Sequence, residues 1–165
     1  FPEGQQKLDV SAIVQNLFMT VGTAKVATSC FEAQSFGFFS DRDGVSMNPD
    51  LLLADAKRRA RAMADAGHVA VPYRNDIPVA GAGTMAGIEM FVFGMMQGGF
   101  VSEYDSYIGS KVAYILTGGD RPVGSTVDEQ YLLDLEREAF LHLCGQEKTQ
   151  ARIQHMLMKG KPLRN

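Results

Sequence analysis

Gly81-Ala82-Gly83-Thr84-Met85-Ala86 has the G-x-G-x-x-A spacing of a dinucleotide-binding turn. Glu103 stands about twenty residues further on, where a ribose-binding acid belongs. Glycines at those places would let a helix start approach a pyrophosphate. That chemistry needs a buried parallel strand before the glycines and another before the acid. Ile77-Pro78-Val79-Ala80 is short, and its proline cannot donate to a central ladder. Phe100-Val101 is barely a strand. The context supports a flexible helix entry rather than a cofactor site.

The other reactive types are as thinly supported. The three histidines are His68, His142 and His155. Glu138 and His142 lie four apart on one predicted helix, with Cys144 close behind. A metal needs three or four converging ligands, and this helix offers two. Cys144 and His142, two apart on a helix, point to different faces, which argues against a nucleophile–base pair. Both cysteines, Cys30 and Cys144, read as small core fillers. Asp134, Glu136 and Glu138, and the loop pair Asp41 and Asp43, read as solvated carboxylates, because nothing places them in a dry pocket. Lys57-Arg58-Arg59 reads as an exposed helix side. No catalytic, cofactor-binding or metal-ligating residue is assigned from these patterns.

The elements that would position such groups are mostly helical. Val10, Ile13, Val14, Leu17, Phe18 and Val21 recur at helical spacing over 9–22. A short helix is expected over 29–35, stopped by Gly37, and a short extended segment at 45–47. Asn48-Pro49-Asp50 signals a helix start. That helix should turn Leu52, Leu53, Ala56, Ala60, Met63 and Ala64 inward and end at Gly67. Residues 68–83 form a connector broken by Pro72 and Pro78. A buried helix is expected over 85–97. The next opens at Ser102-Glu103-Tyr104-Asp105, with Tyr104, Ile108, Val112 and Ile115 inward. Thr126 and Glu129 suggest a capping box for a helix to about 143, and a last helix covers about 147–159. The expectation is an all-α chain of five or six helices with one or two short strands at most.

The chain has 165 residues and a net charge of −3, which gives no basic field for nucleic acid or anionic lipid. A single domain of this size buries roughly 70% of its unfolded surface. Two cysteines make no disulfide framework, and a reduced cytoplasmic setting is expected. Phe1-Pro2-Glu3-Gly4 lacks an initiator Met and the features of a signal peptide, so a fragment of a longer chain is expected. Met85 to Met96 is too short to span a membrane. Met85, Met90, Phe91, Phe93, Met95 and Met96 leave their helix apolar on nearly every side, so it needs covering by an absent part of the chain or another subunit.

Further residues carry a resemblance. Ser29-Cys30-Phe31-Glu32-Ala33 through Gly37-Phe38 resembles the S-x-x-E-A-x-x-x-G-L stretch of the crotonase (enoyl-CoA hydratase/isomerase) family. Residues 45–67 are similar to that family's next strand and helix. The end of the chain is similar to its closing helices, which finish on K-x-P-x, here Lys161-Pro162 onward. EYDSYIGSKVAYILTGGD (103–120) and residues 125–165 resemble the C-terminus of multifunctional fatty-acid β-oxidation proteins. In those, an NAD-dependent 3-hydroxyacyl-CoA dehydrogenase portion precedes a crotonase-type portion. The resemblance runs from about Thr23 to Asn165.

The resemblance implies a single helical unit over 1–165. Residues 1–67 would be the end of a crotonase-type domain, 68–83 a connector and 84–165 a C-terminal helical region. It implies a parent that hydrates 2-enoyl-CoA and oxidises 3-hydroxyacyl-CoA with NAD, stabilising an enolate between two backbone N–H groups. The family's catalytic carboxylates, oxyanion amides and dinucleotide fold have no matching positions here, so this segment is expected to be inactive alone and to hold no cofactor. Its expected partners are the upstream part of the parent chain, further copies of itself, and acyl-CoA in the parent; nucleic acid and a membrane span are not expected. Lys161 stands where a family lysine or arginine can meet CoA phosphates, although a solvated terminal lysine accounts for it better. The alternative is a stand-alone helical module that binds a partner through the Met/Phe helix.

Overall fold

The computed structural model describes residues 8–165, so the expectation about Phe1-Pro2-Glu3-Gly4 lies outside the described residues. Seven α-helices account for most of them, with one two-stranded sheet. The all-α class is the one expected. The chain divides into two compact units, one of residues up to Ala24 with Tyr73–Asn165, the other of Lys25–Pro72.

In the first unit, Asp9 starts α1 (Val10–Gly22) by accepting the Ala12 amide at 3.0 Å. β1 (Ile77–Pro78) pairs antiparallel with β2 (Thr126–Val127), Ile77 opposite Val127. α4 (Gly81–Gln97) starts four residues earlier than expected. Gly81 has φ +69°, and a Cβ there would lie 2.8 Å from the Val123 nitrogen, so the helix entry depends on glycine. α5 (Glu103–Thr117) opens on a full capping box: Ser102 Oγ accepts from Asp105 N–H, and the Asp105 carboxylate accepts from Ser102 N–H. α6 (Glu129–Cys144) and α7 (Glu147–Lys159) follow.

The core of this unit is Val14, Phe18, Ala80, Ile88, Val92 and Ala113, with Val10, Val112 and Leu116 packed against it. Two expectations need correcting here. First, α4 buries only Gly81, Thr84, Ile88 and Val92, while Met90 is 75% exposed and Phe91 and Phe93 are exposed. It is half-buried, because a helix pair covers one face of each member and α5 takes only the Ile88–Val92 side. Second, the buried stripe of α5 is Tyr104, Ala113 and Thr117, with Ile108, Val112 and Ile115 only partly covered. Small residues at 113 and 117 let two helices approach closely. The fully buried Thr117 hydroxyl donates to the Ala113 carbonyl at 2.8 Å, so burial leaves no polar atom unsatisfied.

The capping box expected from Thr126 and Glu129 is absent: Thr126 lies in β2, and Asp128 caps α6 by accepting from Tyr131 N–H at 2.6 Å. Asp128 has a carboxylate two residues closer to the helix, and pairing with β1 occupies Thr126.

The second unit holds α2 (Cys30–Ser35), capped by Ser29, and α3 (Leu52–Asp65), entered through a 3-10 turn at Pro49–Leu51. Asn48 accepts the Asp50 amide at 3.0 Å, as its position before Pro49 suggests. Val45–Met47 pairs with no strand; Ser46 instead donates to Asp55 at 2.6 Å. α3 has no buried residue. Leu52, Leu53, Ala56, Ala60, Met63 and Ala64, expected inward, are all exposed. The periodicity marks the face that favours burial, but no element among the described residues covers it.

Candidate functional site

The best-formed concavity lies in the first unit, among α1, α4 and α5. It has a volume of about 350 Å³, near the lower end of small-molecule pockets. Phe18, Phe91, Val92, Met95, Ile108 and Val112 form much of an apolar wall, and Gly109 makes room beside Val92. Asp105, Arg152 and Arg164 supply the charged lining.

Arg152 ties that polar edge together. Its Nη1 donates to Asp105 Oδ1 at 2.7 Å, its Nε to Asn165 Oδ1 at 2.8 Å, and its Nη2 to the Asn165 main-chain oxygen at 3.3 Å. Ser102 Oγ donates to the same main-chain oxygen at 3.2 Å, and Asn165 Nδ2 donates to the Lys148 carbonyl. The guanidinium also stands over the Tyr104 ring, 5.0 Å from its centroid. This clip holds the terminal segment and α7 against the start of α5. Burial alone would raise the Asp105 pKa. The Ser102 amide, the Arg152 guanidinium and the Ser102 hydroxyl outweigh it and hold the carboxyl below its usual value. Arg164 makes no hydrogen bond or ion pair among the described residues. The cleft thus combines an apolar wall, a neutralised Asp105–Arg152 pair and one additional positive charge.

The residues singled out from the sequence lie elsewhere. Gly81–Ala86 forms the first turn and a half of α4, behind an antiparallel β1 rather than a parallel strand, and Glu103 is the first residue of α5. A dinucleotide fingerprint needs parallel strands leading into both. Tyr107 is the partner of His142, its hydroxyl 2.6 Å from His142 Nε2, and Glu138 makes no hydrogen bond to that ring. His155 Nδ1 lies 2.8 Å from the Lys161 carbonyl, and the Lys161 side chain is exposed. His68 lies beyond α3, its amide bonded to Met63 O. No group of three or more His, Cys, Asp or Glu converges among the described residues. Cys30 and Cys144 are unpaired and half-buried rather than core fillers; Cys30 is the first residue of α2 and Cys144 the last of α6. Asp134, Glu136 and Glu138 are exposed, as are Lys57, Arg58 and Arg59. The loop acid Asp43 accepts from the Ser40 amide at 2.7 Å, and that bond first, then the Ser40 hydroxyl, lowers its pKa. Sequence reasoning missed Arg152, Arg164 and Asn165. Only Asp105 had a visible signal, as the third residue of a capped helix.

A curated protein of Bacillus subtilis (strain 168) named "Probable 3-hydroxyacyl-CoA dehydrogenase" is 45% identical to this chain over 148 residues. The chain is similar to part of a dehydrogenase. The match covers 90% of this chain but only 19% of that protein's length. No protein-family model matches the chain, and no solved structure matches it. Among the described residues, no helix is long and apolar enough to cross a membrane.

Proposed function

We propose that this chain is the structural and oligomerising C-terminal part of a fatty-acid β-oxidation protein. Its parent would hydrate 2-enoyl-CoA and oxidise 3-hydroxyacyl-CoA with NAD, in a cytoplasmic setting. The observation that carries this reading is the 45% identity over 148 residues to the named dehydrogenase. The crotonase-type portion rests on the resemblance of Ser29–Phe38 and of the closing helices. In this reading the hydratase and dehydrogenase centres lie in other parts of the parent. The chain's contribution is to cover the catalytic core and join subunits. One feature supports that role: α3 and the Met90 and Phe93 side of α4, which faces away from the cleft lining, present apolar surface that a larger assembly would bury.

The test is turnover. The full-length protein should hydrate crotonyl-CoA and reduce NAD with a 3-hydroxyacyl-CoA, while the 165-residue chain alone should do neither. Activity in the chain alone, or none in the full-length protein, overturns the reading. The same exposed α4 face favours one alternative, a helical interaction module with its own partner. A coding sequence that continues upstream into dehydrogenase and hydratase motifs separates the two, because a stand-alone module would have its start codon near Phe1.

A further inference from the structure

We propose that the α1–α4–α5 cleft binds a small amphiphilic carboxylate, its apolar body against the Phe18–Phe91–Met95 wall and its acid group at Arg164. The proposal rests on the cleft alone and not on the parent's reaction.

The cleft's volume of about 350 Å³ is bounded mainly by aromatic and aliphatic side chains. Phe91 and Phe100, both in the lining, remain exposed, so an apolar occupant would remove further apolar surface from water. Charge selects the rest of the ligand. Asp105 and Arg152 cancel at 2.7 Å, and each is only about a quarter exposed or less. Arg152 is further committed to Asn165 through two bonds, so it has little left to offer a ligand. Arg164 is exposed and makes no hydrogen bond or ion pair among the described residues, so its guanidinium is free to meet an occupant of the cleft. A guanidinium matches a carboxylate through two parallel N–H···O bonds. The complementary occupant therefore has one negative charge on an apolar body; a cation or a neutral alcohol of the same length matches less well. Asn165 follows Arg164 directly, so the Arg152–Asn165 clip also fixes where that charge is held.

Hydrogen exchange on the full-length protein tests this, with decanoate as probe below its micellar concentration and decanol as the uncharged comparison. Decanoate should slow exchange in peptides covering Phe91–Val112, and the half-saturating concentration should rise about tenfold in Arg164→Gln. Decanol should give weaker protection at the same concentration. Arg164 is exposed, so its replacement leaves the fold intact, and an unchanged melting temperature confirms it. Three results would each overturn the proposal: no protection of 91–112 by decanoate, equal protection by decanol, or unchanged half-saturation in Arg164→Gln. Crotonyl-CoA turnover is read separately, so loss of either reading leaves the other standing.

Discussion

The helix pair α4–α5 and the helix α3 begin from similar sequence patterns and end in different states. Each carries apolar residues at helical spacing. In the pair, Ile88, Val92, Ala113 and Thr117 are buried, and Ala113 and Thr117 are wholly so. In α3, Leu53 remains 68% exposed and no residue is buried. The pair has a partner at close range because glycine, alanine and threonine along α5 allow two backbones to approach. α3 has the right face but no covering element in its own unit. Amphipathicity is thus a requirement for burial, and a neighbour of the right shape is what meets it.

Mutations sharpen the contrast. Ile88→Ala should cost about 2–5 kcal/mol, since it empties a site in a close-packed core. Urea unfolding of the 165-residue chain measures this, and a cost under about 1 kcal/mol would mean that α4–α5 is no better packed than α3. Gly118→Ala comes next. Gly118 ends α5 with φ +89°, and a Cβ there would run into the Val79 side chain. The cost should be about 1–3 kcal/mol in the same measurement.

Asp105→Asn should cost about 1–2 kcal/mol at pH 7, because it weakens charge-assisted bonds to Arg152 at a partly exposed site. The pH dependence has a definite sign. The folded-state pKa of Asp105 lies below its unfolded value of about 4. Its contribution is therefore complete above that value and is lost as pH falls through the folded pKa. Wild type should progressively lose its advantage over Asp105→Asn as pH falls below about 4, followed by urea midpoints. A difference that does not shrink on acidification would remove the Asp105 charge as the source. The smallest effect belongs to α3: Leu53→Ala should change stability by no more than about 0.5 kcal/mol in this chain. A loss of 2 kcal/mol or more would show that α3 is covered after all.

Local chemistry was legible wherever neighbouring residues decide it. Asn48 before Pro49, Ser102 with Asp105, and Gly160 in the left-handed conformation after α7 all act as their types suggest. Thr126 shows where that reasoning fails. Its spacing to Glu129 suits a cap, but pairing with Ile77–Pro78, some fifty residues away in the chain, draws it into β2. The candidate cleft was less legible still. Phe18, Phe91 and Ile108 belong to three helices, and Arg152 meets Asp105 across 47 positions. No periodicity within one segment encodes a meeting of that kind.

The sequence by itself determined the helical class, most helix limits and the faces that favour burial, because hydrogen bonds and caps act within a few residues. Tertiary structure alone decided which faces found cover, that α5 packs through Ala113 and Thr117, and that Asp105, Arg152 and Asn165 form one clip. Those outcomes depend on distances between segments remote in the chain, and such distances exist only after the helices have packed.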